Sequence, residues 1–139
     1  MYDTVARIKG KVFELNTRME SKKTVILGAS DNPARYSYLA LKKLTRHNHP
    51  VVAIGKAKGR VGDIPIITDR PVSADIDTVT LYLNPQNQKA YYDYILSLKP
   101  RRIIFNPGTE NEELEELAKK QGIKTMEACT LVMLSTGQY

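Results

Sequence analysis

Short apolar runs alternate with helical patterns along most of this chain. The five clearest runs are residues 24–28, 51–54, 78–83, 101–105 and 123–126, and a shorter one at 64–67 contains Pro65. The helical patterns between and after them cover Tyr36 to about His47, Pro85 to about Leu98, a stretch that ends near Lys120, and Ala128 to Leu134. Strands that alternate with helices form a parallel sheet covered on both faces. We therefore predict the α/β class, as a Rossmann-like, doubly wound, mainly parallel sheet of about five to six strands in a three-layer α/β/α arrangement.

The first apolar run ends at Gly28 and leads into a loop of small polar residues that ends at Pro33. Such a loop aims backbone N–H groups at open space, and the helix that follows adds its positive dipole end. Ligands of doubly wound sheets bind outside the carboxyl ends of the strands. The loop therefore favours a phosphate-bearing ligand. Because no histidine is placed to activate Ser30, its hydroxyl is expected to start a helix and not to act as a nucleophile.

The positive charge of the chain is concentrated around this loop. The 139 residues carry a net charge of +6, and residues 24–60 alone contain seven Lys or Arg against one acid. Residues 109–139 contain three Lys against six Glu. This asymmetry favours an anionic ligand near Gly28 over a uniformly basic surface for nucleic acid, so no nucleic-acid partner is expected.

The end of the second run distinguishes between nucleotide ligands. The dinucleotide fingerprint has three glycines and an acid at this point, where the acid binds the ribose hydroxyls. Here the glycines are missing and the position is filled by Gly55 and Lys56, with Lys58 close behind. A cation there suits a phosphate on the ribose. The sequence therefore disfavours NAD and leaves NADP or coenzyme A.

Four short motifs, in this order, resemble the CoA-binding domain family. They are the run from Val25 to Pro33, the pair Gly55-Lys56, the turn Leu83-Asn84-Pro85 and the turn Asn106-Pro107-Gly108. The family consists of small stand-alone proteins similar to the N-terminal CoA-binding domain of the succinyl-CoA synthetase α subunit, and the resemblance covers residue 24 to about 134. By position, it implies ligand-binding roles for Gly28, Ala29, Ser30, Asp31, Asn32, Arg35, Lys56, Leu83, Asn84, Pro85 and Asn106.

Two departures from the family pattern bear on these roles. Gly55-Lys56 stands where the family commonly has Asn-Pro, which leaves the register of Lys56 against Lys58 open. Cys129 is followed by Thr130, where the family commonly has proline. Cys129 is then either a buried core residue or a partner for a mixed disulfide with the CoA thiol. Asn106 is either a ligand residue or only part of a turn.

We expect non-catalytic binding of CoA or an acyl-CoA at the strand ends. One alternative is an NADP-linked oxidoreductase, although the sequence shows no catalytic acid or base for it. Another is a regulatory or interaction domain without a ligand. Ligase activity is not expected, because His47 and His49 lie at a helix end away from the strand ends. With two histidines and one cysteine, no metal site is predicted.

Residues 1–23 precede the alternating pattern and are predicted to form an extension to a single domain at residues 24–139. Val5, Ile8, Val12, Leu15 and Met19 follow helical spacing, which favours an amphipathic helix packed on the domain or on a partner, including a second copy in a homodimer. A disordered arm is the alternative. The chain shows no signal peptide and no apolar run long enough for a membrane span, so a cytoplasmic protein without a membrane partner is expected.

Overall fold

The computed structural model describes residues 3–7, 10–14 and 20–139, the first two segments by their backbone alone. Strands β1 (Asp3–Arg7) and β2 (Gly10–Glu14) pair antiparallel. The amphipathic helix expected in residues 1–23 is therefore wrong for these ten residues. Gly10 and the β-branched residues among them disfavour a helix, and here the strand tendency prevails over the apolar spacing. The remainder of the stripe lies outside the described residues, and the boundary at residue 24 stays a prediction.

A second sheet of seven strands forms the main body of the fold, in the order β5-β6-β4-β3-β7-β8-β9. All neighbours pair parallel except β5 and β6. The strands are β3 (Thr24–Leu27), β4 (Val51–Ile54), β5 (Gly59–Val61), β6 (Ile64–Ile67), β7 (Thr78–Leu81), β8 (Arg102–Phe105) and β9 (Lys124–Glu127). The fold class is confirmed, with seven strands in place of five or six.

The additional strand is β5, which lies in a segment without an apolar run in the sequence. It forms a hairpin with β6, in which Val61 pairs with Ile64 across a two-residue turn. Gly62, the first turn residue, has a φ of 59°. Tight hairpin turns need this left-handed backbone, which glycine adopts at little cost.

The helices follow the predicted pattern, but one of them is interrupted. They are α1 (Tyr36–Arg46), α2 (Pro85–Gln88), α3 (Tyr92–Ser97), α4 (Glu112–Lys120) and α5 (Thr130–Ser135). The single helix expected from Pro85 to Leu98 is divided into α2 and α3 by a 3₁₀ turn at Lys89–Tyr91. Helix α4 is capped by Asn111, whose side chain accepts the Leu114 N–H.

Side chains from alternate positions of the strands form two cores, one on each face of the main sheet. Val25 and Leu27 of β3 pack on one face with residues of α3 and α4. Ile26 packs on the other face with residues of α1 and α5. Strand residues alternate between faces, so buried strands with helices on both sides give the predicted three layers. None of the helices in the described part of the chain is long and apolar enough to cross a bilayer.

The strand order fixes where a ligand site can open. Strand β3 lies between β4 on one side and β7 on the other, and the chain turns from one half of the sheet to the other between them. The loops that leave the carboxyl ends of strands on the two sides of such a switch point diverge. A crevice is therefore expected above β3, β4 and β7.

At the opposite edge of the sheet, His49 lies just before β4. Its Nδ1 accepts the Lys22 N–H at 3.0 Å, and its ring centroid is 4.9 Å from that of Tyr139. Partial burial lowers the pKa of His49 below 6.5, and the nearby Lys22 lowers it further. The folded state therefore favours the neutral imidazole, which alone can accept this hydrogen bond.

This arrangement predicts that acid weakens the fold through His49. Because the pKa of His49 is lower in the folded state, its stabilising contribution is present above pH 6.5 and is lost as the pH falls from there towards the folded pKa. The free energy of unfolding, measured by denaturant titration at about pH 7.5 and about pH 5, should fall less for His49→Gln than for the wild type. Lys120→Gln, an exposed substitution at the end of α4, is the control and should keep the wild-type pH dependence. An identical pH dependence in His49→Gln would contradict the prediction.

Candidate functional site

A cleft of about 610 Å³ opens at the carboxyl ends of the central strands. Eight of the residues predicted to bind a ligand line it, namely Gly28, Ala29, Ser30, Asp31, Arg35, Lys56, Leu83 and Asn84. Three others, Asn32, Pro85 and Asn106, are not among its lining residues. The structure thus brings together residues that are up to 56 positions apart in sequence, counted from Gly28 to Asn84. The ligand-binding roles of these residues stay a prediction.

Two glycines hold the loops of the cleft close to each other. Gly28 has a φ of 95°, and a Cβ on it would lie 2.9 Å from the carbonyl carbon of Tyr82. A Cβ on Gly55 would lie 2.5 Å from the carbonyl oxygen of Ala29. Both distances are too short for a real side chain, so only glycine permits the observed approach of the loops after β3, β4 and β7.

The backbone of the first loop is divided between anchoring and free donors. The N–H groups of Gly28 and Ala29 both donate to the carbonyl of Ile54, each at 2.9 Å. They hold the loop against β4 and are not available to a phosphate, which corrects the expectation that the whole loop is a phosphate cradle. Within the described residues, the N–H groups of Ser30 and Asp31 donate to no protein acceptor. These two are the donors that the loop can offer to an anion.

Side chains of the loop form turns instead of starting the first helix. The Ser30 hydroxyl accepts the Asn32 N–H at 3.1 Å, and the Asn32 side chain accepts the Ala34 N–H at 3.0 Å. Helix α1 begins only at Tyr36, with Arg35 as its N-cap and no capping side chain. Ser30 is therefore wrongly predicted as a helix-start hydroxyl, because local turns of Ser and Asn compete with helix initiation.

Four cations and one acid among the described residues line the cleft. The cations are Arg35, Lys56, Lys58 and Arg70. The acid is Asp31, whose carboxylate lies against Gly59, where a Cβ would be 2.6 Å from its Oδ2 atom. Lys56 and Lys58 both line this cleft. Either lysine can therefore lie near a ligand, and the structure leaves open which of them takes the family's basic position. The cleft is strongly positive for its size and suits an anion.

The β7 side of the cleft is a rigid turn. The Asn84 side chain accepts the Asn87 N–H at 2.9 Å, and Pro85 is the first helical residue, as predicted. Behind the turn, the buried Gln88 donates to the carbonyls of Leu83 and Thr109, each at 2.8 Å. The side-chain amide oxygen of Gln88 accepts a hydrogen bond from the side-chain amide nitrogen of Asn111. This network fixes the turn, and sequence reasoning missed it because a single glutamine on a helix gives no pattern.

Asn106 is a structural residue below the cleft. It is 2% exposed, and its amide nitrogen donates to the Thr80 hydroxyl at 2.7 Å and to the Leu81 carbonyl at 2.8 Å. Its amide oxygen accepts the Thr130 N–H at 2.9 Å. The side chain thus joins β7, β8 and the start of α5. With both ends of the amide engaged and no access to the cleft, Asn106 is better explained by these contacts than by the ligand role it was given.

Sequence reasoning also missed Arg70, Tyr82, Asn87 and Tyr91, which line the cleft. The Arg70 guanidinium lies 4.0 Å from the centroid of the Tyr91 ring. The Tyr82 hydroxyl is buried with no hydrogen-bond partner in the described part of the chain, and burial raises the pKa of this phenol well above its usual range. These residues follow no motif, because their proximity depends on contacts between separate loops. Cys129, half-buried before α5, does not line the cleft, and its role stays a prediction.

Together, the strand order, the glycine-bound loops and the basic cleft define a doubly wound, Rossmann-like α/β domain with a positively charged cleft at its switch point. Residues 22–135 match the family model of the CoA binding domain, and the chain belongs to this family. The sequence resemblance is thereby confirmed.

Solved structures agree with this assignment of the fold. The crystal structure of an uncharacterized protein is 56% identical, with a TM-score of 0.84 over 86% of this chain and 99% of that one. A hypothetical protein from Pyrococcus horikoshii is 20% identical, with a TM-score of 0.76 over 84% of each chain. A protein from Thermus thermophilus is 17% identical, with a TM-score of 0.75 over 86% of this chain and 91% of that one, and these two share the fold. No curated protein matches the chain.

The contacts of Gly28 predict a specific cost of adding a methyl group. Gly28→Ala should destabilise the fold by the strain of a positive φ, about 1–2 kcal/mol, and by about 1–3 kcal/mol more because the Cβ meets the Tyr82 backbone. Gly108→Ala is a matched control, since Gly108 has a φ of 91° and open space around it. Equal losses in the free energy of unfolding, measured by denaturant titration, would show that the close approach at Gly28 is unimportant.

Proposed function

We propose that the protein binds coenzyme A, free or as an acyl-CoA, in the cleft and carries out no reaction on it. The observation that carries this proposal is the group of four cations lining a cleft at the switch point of the sheet. Membership of the CoA-binding domain family supports the choice of CoA among the anionic nucleotides.

The distribution of charge matches a ligand with phosphates at two places. CoA carries a diphosphate and a separate phosphate on its ribose. The N–H groups of Ser30 and Asp31 face the same cleft as Arg35, which suits the diphosphate. Lys56 and Lys58 follow β4, where an acid would bind unmodified ribose hydroxyls in an NAD site. Two cations in that place favour the ribose phosphate.

The chemistry of the lining supports a binding role without catalysis. Among the described residues that line the cleft there is no histidine or cysteine. In the described part of the chain, the Ser30 hydroxyl hydrogen-bonds to the Asn32 N–H, which is not a base. The Tyr82 hydroxyl is buried, and its raised pKa makes it a poor proton donor. The carboxylate among these described lining residues is that of Asp31, which lies against Gly59, and the two lysines are assigned here to phosphates. This lining supports binding without a group-transfer step.

The role of Lys56 predicts discrimination between CoA and dephospho-CoA. Titration calorimetry should show that the wild type binds CoA more tightly than dephospho-CoA, NADP or NAD. Lys56→Gln should weaken CoA binding about tenfold or more and leave dephospho-CoA binding nearly unchanged, because only CoA presents the ribose phosphate to that charge. Lys58→Gln, measured in parallel, tests the other possible register.

Lys120→Gln is the control, since Lys120 is an exposed lysine at the end of α4 outside the cleft. Equal affinity of the wild type for CoA and dephospho-CoA would refute the roles given to Lys56 and Lys58. Tighter binding of NADP than of CoA would favour the oxidoreductase alternative. If no CoA species binds, the proposed function is wrong.

A further inference from the structure

Arg70 is held in a fixed position on the wall of the cleft. One face of its guanidinium covers the Tyr91 ring at 4.0 Å, and its Nη1 donates to the Ala90 carbonyl at 2.7 Å. The loop is tied down a second time next to it, where the Tyr94 hydroxyl donates to the Pro71 carbonyl at 2.7 Å. The side chain that would otherwise be among the most mobile in the cleft is thus oriented before any ligand arrives.

These contacts place Arg70 across the cleft from the phosphate-binding groups. Arg70 leaves the loop after β6, whereas Tyr91 belongs to the 3₁₀ turn that follows β7 and α2. Strands β4 and β3 lie between β6 and β7 in the sheet. The Arg70–Tyr91 contact therefore spans the ends of β4 and β3, whose loops carry Ser30, Asp31 and Lys56. A ligand held by those loops lies next to the guanidinium.

Arg70 keeps two features for a ligand, namely the face of its guanidinium turned away from Tyr91 and the Nε and Nη2 donors, which have no acceptor among the described residues. Its Nη1 is engaged by Ala90, and the plane of the group is set by Tyr91. A guanidinium stacks on planar π systems, and purine bases stack on arginine as they do on aromatic rings. The two aromatic rings among the cleft's described lining residues are those of Tyr82 and Tyr91, and the latter is covered by Arg70 itself. The phosphates already have Arg35, Lys56 and Lys58.

We infer that Arg70, supported by Tyr91, is the stacking surface for the purine base of the bound nucleotide, and hence a specificity-determining residue for adenine-bearing ligands. This inference rests on the proposed function. A lysine in place of Arg70 distinguishes a stacking role from a purely electrostatic one. Lysine preserves the charge of Arg70 but has no planar group to stack.

The test compares Arg70→Lys, Arg70→Gln and the wild type as full chains. Each is titrated with CoA in a calorimeter, and a parallel titration records the adenine absorption band. Arg70→Lys should weaken CoA binding about tenfold, nearly as much as Arg70→Gln. Because salt screens charges and not stacking, the ratio of the variant's dissociation constant to that of the wild type should be the same at low and high salt. The hypochromism of the adenine band on binding should disappear in both variants. Tyr91→Phe should bind like the wild type, and Tyr91→Leu should weaken binding.

Arg101→Lys is the matched control, because Arg101 is an exposed arginine outside the cleft. Wild-type affinity and hypochromism in Arg70→Lys, with weaker binding only in Arg70→Gln, would overturn the stacking role and leave a role of charge alone. Wild-type affinity in all the Arg70 variants would overturn any role of Arg70, while CoA binding itself stands. Failure of the wild type to bind any CoA species would instead overturn the proposed function, and this inference with it.

Discussion

The Ile54 carbonyl is the point on which the candidate site depends. It accepts the N–H groups of both Gly28 and Ala29, so that the loop after β3 is fixed to the end of β4. This double contact is possible because Gly55, the next residue, has no Cβ to displace the Ala29 carbonyl. On the other side, Gly28 allows the same loop to touch the backbone of Tyr82 after β7. One short loop thus joins three strand ends and sets the distance between the walls of the cleft.

That geometry also accounts for how the cleft tolerates its charges. Four cations around one opening repel each other, and the repulsion is moderated because all four side chains are exposed to solvent and its ions. Asp31 could offset part of this charge, but its carboxylate leans on Gly59 at the edge of the site. An anionic ligand would relieve the repulsion while the loops stay in place. Binding then requires little rearrangement of the backbone, so that little free energy is lost in ordering the loops when the ligand binds.

The sequence predicts the part of the structure that depends on local periodicity. Continuous apolar runs such as Val25–Leu27 indicate strands buried on both faces, and the Asn84-Pro85 pair marks the start of a helix with its cap. The alternation of strands and helices predicts a cleft at the carboxyl ends of the strands. Eight of the residues that line it are named through the family resemblance. Strand β5 could not, because it has three residues and is stabilised by its pairing with β6 rather than by an apolar pattern.

Contacts between separate loops set the limit of such predictions. Arg70 meets Tyr91, which is 21 positions further along the sequence, and neither residue lies in a motif. Asn106 has the residue type of a ligand-binding turn, and only its burial and its three partners show that it holds β7, β8 and α5 together. In both cases the deciding fact is which groups remain free after folding. That accounting requires the tertiary structure, because a polar side chain is used for binding only when the fold has not already satisfied it.

The two ends of the strands in the main sheet, amino and carboxyl, differ in how many polar groups remain free after folding. At the amino-terminal edge, Arg102 donates to the Thr78 hydroxyl at 2.7 Å and lies 4.3 Å from the centroid of the Tyr139 ring, and the hydroxyls of Tyr139 and Thr24 are hydrogen-bonded. Most of these polar groups are engaged with one another, and the buried Nη2 of Arg102 is the exception, with no hydrogen-bond partner among the described residues. At the carboxyl edge, amides and cations are held in place and left open to solvent. The fold therefore concentrates its free binding capacity on one side, where the strand order has already opened a cleft, and this asymmetry is why a ligand is expected there and not at the other edge.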